Sequence, residues 1–272
     1  KQKTAYEIPL RLVGSEMCIR DSSIVSCSPE TLIEKKGNKI QARELFLQAK
    51  TFYSIGRFPA EVSTLKAEVS RDCVRAYKKA SKHLNPPIQD VEIDCGGIKI
   101  KAHYRTPKSE TKVPAVLIMC GADVFKEDRG WAADMALNEG MASLVMDAPG
   151  TGENPFPWEP ESVKAWEAAI DTLMDRPEID PERVGAFGVS RGGYSVLQLA
   201  GTAPDKVKAV VAIAGHPFHN NPSKEDLDLI VETRNERAQF KFGEKDGPTW
   251  VPEWSKQKEY ETSQAWSLES LN

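Results

Sequence analysis

The chain has 272 residues, and its 36 Lys and Arg nearly balance its 40 Asp and Glu, for a net charge of −4 at pH 7. This balance gives no electrostatic reason to bind nucleic acid or an anionic membrane, so we expect a small-molecule partner. Five cysteines without the spacing of a zinc site or a disulfide framework favour a reducing, cytoplasmic setting. No apolar run approaches the roughly 20 residues of a membrane span.

The first 27 residues are set apart from the rest of the sequence. Residues 6–22 (YEIPLRLVGSEMCIRDS) show neither a helical nor a strand period and resemble translated sequencing-adaptor sequence, so residues 1–27 are excluded from the predicted fold. We therefore expect a fragment whose C-terminus is also truncated.

The next part of the chain, residues 28–86, is predicted to be helical. An N-cap pattern begins at Ser28, and further helices are predicted over residues 41–53 and 62–83 from apolar residues three or four apart. The Pro86-Pro87 pair ends the helical pattern, and the period changes to that of strands after it. We place a domain boundary there.

Residues 87–220 are predicted to form an α/β domain. Strands are predicted over residues 91–94, 98–104, 115–120, 142–146, 184–189 and 207–214, with helices over 131–139, 161–176 and 194–201. The first two strands form an antiparallel hairpin through Gly96-Gly97. The later alternation of strands and helices predicts a mostly parallel sheet with helices on both faces.

The most specific indication of chemistry is a GxSxG motif at residues 188–192, followed by Gly193. It lies between a predicted strand and a predicted helix, where a nucleophile elbow places a serine in a tight turn flanked by small residues. Gly188 and Gly192 meet that requirement. A glycine-rich turn without catalytic function has the same pattern, but its context favours an enzyme with Ser190 as covalent nucleophile.

Three segments together resemble esterases named after the fermentation-respiration switch protein, within the α/β-hydrolase superfamily. They are residues 120–128 (CGADVFKED), 147–153 (DAPGTGE) and 188–194 (GVSRGGY). The resemblance extends from about residue 40 to about residue 220, and the group includes carbon–carbon bond hydrolases such as dihydroxy-pseudo-oxynicotine hydrolase. It implies an α/β-hydrolase core and identifies the N-terminal helical region as part of a cap.

The resemblance also implies an oxyanion hole beside Ser190. One donor would be the backbone N–H of Arg191, and the other the N–H of Ala122, which follows Gly121 after the third strand. No metal or cofactor is implied.

Other residues near this end of the sheet have more than one interpretation. Cys120, where many superfamily members have His, is interpreted as a small core residue rather than a reactive thiol. Asp123 is a candidate for the substrate pocket, and the charged run 126–128 fits a substrate mouth or a solvated loop equally well. The loop at residues 147–153 is predicted to be architectural.

The acid and the histidine of the triad are not evident in the sequence. The superfamily order is Ser, acid, His, and only His216 and His219 follow Ser190. Both come directly after the last predicted strand, too early for the general base, so they are candidates for the substrate pocket or for a surface or core position. Asp246 is a candidate acid, although the segment before it alternates polar and apolar residues, unlike a central strand.

Residues 221–272 are instead predicted to be a truncated helical lid insertion in this chain. On that hypothesis the acid and the histidine follow Asn272, and the chain alone would be inactive.

A homodimer is compatible with the sequence but is not indicated by it.

The predicted function is a serine hydrolase that acts on a carboxylic ester, or on a carbon–carbon bond next to a carbonyl, through an acyl-enzyme. A non-catalytic ligand-binding fragment is the alternative from a different class. A prolyl-oligopeptidase-like peptidase is disfavoured because residues 28–83 are helical rather than a propeller of short strands. An acyltransferase would use the same residues with an alcohol as acceptor.

Overall fold

The computed structural model describes residues 37–58, 64–156, 158 and 160–215, and these form two compact units. The first unit contains the described residues up to Ile88, and the second begins at Gln89, next to the Pro86-Pro87 pair. The N-terminal residues 1–27, the first predicted helix and the predicted lid at 221–272 lie outside the described residues.

The first unit contains a pair of helices that pack along one another. They are α1 (Lys39–Arg57) and α2 (Thr64–Ser81). Ala42 near the start of α1 packs in one cluster with Ala80 near the end of α2, and Tyr53 later in α1 packs with Cys73 earlier in α2, so the helices are antiparallel. Both helices lie where the apolar spacing predicts them, although Leu65, one of the residues at that spacing in α2, is 57% exposed.

The second unit is built on a sheet of six strands. They are β1 (Gln89–Cys95), β2 (Ile98–Arg105), β3 (Val113–Met119), β4 (Ala142–Met146), β5 (Ile179–Val189) and β6 (Ala209–Ile213). Their order in the described part of the sheet is β1-β2-β4-β3-β5-β6. The pairs β1–β2 and β2–β4 are antiparallel, and the others are parallel. Gly96 and Gly97, with φ of +61° and +89°, form the predicted hairpin turn.

Helices cover both faces of this sheet, as predicted. They are α3 (Gly130–Asn138), α4 (Val163–Met174) and α5 (Arg191–Thr202). Side chains of β3 alternate between the faces, so Leu117 joins the cluster that contains Trp166 of α4, while Ile118 packs with Ala133 of α3. The predicted α/β class with a mostly parallel sheet is confirmed. Among the described helices, none has the length and apolar character that crossing a membrane requires.

Strand β5 begins earlier than predicted, because an irregularity interrupts its pairing. Val113 of β3 pairs with Ile179 and Ala115 pairs with Val184, so residues 180–183 bulge out of the ladder. The Asp180 side chain closes this bulge by accepting hydrogen bonds from the Glu182 N–H at 3.1 Å and from Arg183 Nε at 2.7 Å.

Candidate active site at the end of strand β5

Ser190 lies in a sharp turn between the carboxyl end of β5 and the first residue of α5. Its backbone has φ of 59° and ψ of −123°, a conformation that costs a non-glycine residue roughly 1–3 kcal/mol. Two backbone hydrogen bonds fix the turn, from the Ser190 N–H to the Ile213 oxygen at 2.8 Å and from the Tyr194 N–H to the Ser190 oxygen at 3.1 Å. Ser190 is exposed. The turn therefore presents a hydroxyl at the carboxyl edge of the sheet, as the motif predicts.

Three positions around Ser190 require glycine because there is no space for a side chain. A Cβ atom on Gly188 would lie 2.0 Å from the Gly192 oxygen, and one on Gly192 would lie 2.3 Å from the Met119 oxygen. At Gly193 a Cβ atom would lie 2.7 Å from the Ile213 oxygen. Any side chain at these positions would push β5, β3 or β6 away from the start of α5, so the predicted steric role of the motif is present in the structure.

The loop that follows β3 lies directly beside Ser190. A Cβ atom built on Gly121 would be 3.3 Å from Ser190 Cβ and 3.7 Å from Ser190 Oγ. Ala122 and Asp123 follow in this loop and are half-buried. Arg191 directly follows Ser190 and is the first residue of α5. The two predicted oxyanion donors thus belong to the two backbone segments that adjoin Ser190.

The Arg191 side chain stacks on an aromatic ring that the sequence did not point to. The Arg191 guanidinium carbon lies 3.9 Å from the centroid of the Trp158 ring, a cation–π geometry. Trp158 is buried in the large cluster of core residues on the α4 side of the sheet. This contact connects the start of α5 to the loop that follows β4.

A buried ionic cluster lies behind the loop after β3. Lys126 and Asp147 are 1% and 0% exposed. Lys126 Nζ lies 3.2 Å from Asp147 Oδ2, 2.8 Å from Glu153 Oε2 and 2.8 Å from Glu127 Oε1. The run 126–128 is therefore not a solvated loop, because Lys126 and Glu127 are inside the protein. A signal was available: Asp147 directly follows β4 and the run lies a few residues after β3, which puts both at the carboxyl edge of neighbouring parallel strands.

The charges of this cluster stabilise one another. Burial alone would lower the pKa of Lys126, but Asp147, Glu127 and Glu153 raise it well above its ordinary value. Burial would raise the pKa of Glu153, but Lys126 and Lys101 together lower it to about 2. Lys126 and Glu153 are therefore both charged at neutral pH.

The remaining predicted site residues divide into two groups. Cys120 is fully buried beside Ile118 and Ala133, and burial raises the pKa of its thiol well above the ordinary value, which fits the predicted core role. His216, His219 and Asp246 lie outside the described residues. Their assignment to the pocket and to the triad stays a prediction.

The sequence of this chain is similar to those of known esterases and hydrolases. The family model for FrsA-like esterases matches residues 29–230. Esterase FrsA of Vibrio cholerae is 28% identical over 193 residues, which cover 69% of this chain and 45% of that protein. The 2,6-dihydropseudooxynicotine hydrolase of Paenarthrobacter nicotinovorans is 31% identical over 134 residues, 48% of this chain and 36% of that protein. The chain thus spans less than half the length of these curated relatives.

Solved structures support the same fold. The crystal structure of 2,6-dihydroxy-pseudo-oxynicotine hydrolase has a TM-score of 0.72 at 21% identity and covers 97% of this chain and 76% of that chain. The structure of AbyA5 has a TM-score of 0.67 at 20% identity and covers 94% and 73%. Because the family model matches well over half of its residues, and because its sheet and helices have the α/β-hydrolase arrangement, this chain belongs to the FrsA-like esterase family.

Proposed function

We propose that this chain carries the nucleophile and the oxyanion hole of a serine hydrolase that forms an acyl-enzyme on Ser190. The observation that carries the proposal is the backbone of Ser190, an exposed serine with φ of 59° at the junction of a strand and a helix. A strained conformation of this kind persists only where the surroundings impose it, and such residues cluster at active sites. Membership of an esterase family supports the same assignment.

The oxyanion hole is assigned to the backbone N–H groups of Ala122 and Arg191. Donors of this kind act by binding the negative charge that develops on the carbonyl oxygen during attack, and they need no reorganisation because the backbone already fixes them. The approach of Gly121 to Ser190 supports the assignment of Ala122, and the start of α5 at Arg191 supports the other donor. The positive end of the α5 dipole adds to both.

The reaction follows the usual course of acyl transfer. Ser190 Oγ attacks the substrate carbonyl and gives its proton to a histidine, which we assign to the part of the complete protein that follows Ser190. The tetrahedral intermediate then expels an alcohol, or the carbanion of a cleaved carbon–carbon bond, which takes that proton. Water hydrolyses the acyl-enzyme and releases a carboxylic acid. The substrate is a small carbonyl compound, either a carboxylic ester or a β-diketone-like molecule, and Asp123 lies in the loop that adjoins its binding site.

A matched pair of serine variants tests the nucleophile in the complete protein. Ser190→Ala should abolish labelling by a fluorophosphonate probe and hydrolysis of a p-nitrophenyl ester. Ser195→Ala is the control, because Ser195 lies on the same helix but is 1% exposed and its hydroxyl donates to the Arg191 oxygen at 2.9 Å. The control should keep both activities. A folded wild-type protein that the probe does not label would contradict the proposal and favour a ligand-binding role.

Product analysis separates the substrate classes. Hydrolysis of an ester and cleavage of a β-diketone can each be followed with Ser190→Ala as the blank. Formation of a new ester when an alcohol is added would instead indicate an acyltransferase, since the acyl-enzyme would pass its acyl group to the alcohol rather than to water.

A further inference from the structure

The loop that contains the proposed oxyanion donor is attached at both ends to the end of strand β4. At its start, the Cys120 N–H donates to the Met146 oxygen at 3.1 Å. At its end, the Lys126 N–H donates to Asp147 Oδ1 at 2.6 Å. The residues between these two attachments include Gly121, which adjoins Ser190. The position of this short loop therefore depends on where Asp147 is.

Asp147 is fixed by contacts with its own loop as well as with Lys126. Its Oδ2 accepts a hydrogen bond from the Glu153 N–H at 2.9 Å, and its backbone oxygen accepts one from Asn154 Nδ2 at 2.8 Å. Gly152, with φ of +52°, leaves room for the carboxylate, because a Cβ atom there would lie 2.3 Å from Asp147 Oδ2. Residues 152–154 thus contact Asp147 in addition to Lys126.

Net stability does not by itself explain a cluster of buried charges at this place. Removing charges from water costs about as much free energy as their mutual attraction returns, so apolar residues of similar size often stabilise a core equally well. Charge-assisted hydrogen bonds are, however, short and directional, and they fix the relative position of the groups that they join. Here they join the end of β4 to the loop beside Ser190.

We infer that Lys126 and Asp147 are positioning residues that set the distance between the Ala122 N–H and the oxyanion formed on Ser190. The inference rests on the proposed function. It assigns to the two residues no contact with substrate and no proton transfer. Their effect is on the binding of the transition state, because only the tetrahedral oxyanion depends on the exact place of the backbone donor.

Two variants and one control test this inference in the complete protein. Lys126→Met keeps the length of the side chain without its charge, and Asp147→Asn keeps the shape of the carboxylate while weakening its bonds to Lys126. Each should lower kcat/KM for a p-nitrophenyl ester about 100-fold, the size of effect seen when one oxyanion donor is lost, with KM changed less than about 3-fold. Lys101→Met is the control, since Lys101 also pairs with Glu153, at 2.7 Å, but its side chain is 63% exposed at the rim of the cluster.

A second readout separates positioning from a general loss of structure. A trifluoromethyl ketone forms a tetrahedral anionic adduct with a reactive serine, and its affinity should fall in parallel with kcat/KM. The affinity for the matching ketone without fluorine, which remains an uncharged carbonyl compound, should stay within about 3-fold of the wild type. Equal losses for both ligands, or a folded variant with wild-type kcat/KM, would overturn the inference.

Three further outcomes would contradict the inference or the proposed function. If neither variant folds, as judged by thermal unfolding, the cluster serves stability rather than positioning, and the inference is wrong. If the wild-type protein is not labelled by a fluorophosphonate probe, the proposed function itself fails, and the inference fails with it. Wild-type labelling together with undiminished labelling of Lys126→Met and Asp147→Asn would overturn the inference alone.

Discussion

The backbone N–H of Ser190 donates to the carbonyl oxygen of Ile213 at 2.8 Å, so the turn after β5 is attached to the end of β6. This bond helps to keep Ser190 at a φ of 59°, which a residue with a side chain adopts only at a cost in free energy. The hydrogen bond to the end of β6 therefore offsets part of the free-energy cost of the strained turn.

Replacement of Ser190 by glycine should stabilise the protein relative to replacement by alanine. Glycine adopts positive φ without the steric penalty, so Ser190→Gly should have a free energy of unfolding about 1 kcal/mol higher than Ser190→Ala. Denaturant unfolding of the two variants measures the difference. At Ser195, inside α5, the order should be reversed by a similar amount, because glycine disfavours a helix. An alanine variant at 190 as stable as the glycine variant would show that the turn is not strained.

Acidification should destabilise the second unit through His103. This side chain is 12% exposed, and burial, helped by the charge of Lys126, lowers its pKa to about 4. Five charged groups surround it: Asp90 of β1 at 3.9 Å, Glu127 at 4.0 Å, and more distantly Lys126, Asp147 and Glu153. The folded state therefore keeps His103 neutral while the unfolded chain, with its ordinary pKa near 6.5, takes up a proton.

The sign of the pH effect follows from this difference. Between about pH 6.5 and pH 4 the unfolded state binds more protons than the folded state. The free energy of unfolding therefore decreases as the pH is lowered through that window, by up to about 3 kcal/mol. Urea unfolding at pH 7 and pH 4.5 measures it. His103→Gln should remove most of that difference, whereas His83→Gln, in the helical unit, should not. The same pH dependence in His103→Gln as in the wild type would exclude His103 as its source.

The contact between Arg191 and Trp158 should appear as a coupling energy. Cation–π pairs contribute about 0.5–2 kcal/mol, so a double-mutant cycle with Arg191→Met and Trp158→Leu should give a coupling of that size in the free energy of unfolding. A parallel cycle that combines Arg191→Met with Ile93→Val should be additive, because Ile93 lies on β1, four strands away from β5. Additivity in both cycles would show that the stacked geometry contributes nothing.

The fold could be predicted largely because its signals are local. Continuous apolar runs mark the buried parallel strands, and Gly96-Gly97 and Pro86-Pro87 mark a turn and a boundary. The GxSxG motif predicted the turn at Ser190 for the same reason, since each glycine meets a backbone atom of a neighbouring segment. The start of β5 was less evident, because Asp180 and Pro181 are typical of turns and here belong to a bulge within a strand.

The ionic cluster was not predicted, because only the placement of its members at the ends of neighbouring strands, and no local pattern, links them. Lys126 and Asp147 are separated by 21 residues, and no periodic pattern links them. A charged run such as 126–128 is usually exposed, so composition points the wrong way. The strand ends place Lys126 and Asp147 at the same edge of the sheet, but the pairing itself, like the contact of Arg191 with Trp158, is fixed by the tertiary fold.

The bulge at residues 180–183 offers a place for a reporter group. It lies at the opposite end of β5 from Ser190, roughly 23 Å away for seven extended residues. Glu182 and Arg183 are exposed there, and the pairing of β5 with β3 already omits these positions. A fluorophore or a short peptide tag attached at this bend should therefore leave the catalytic turn undisturbed while immobilising the protein in a known orientation.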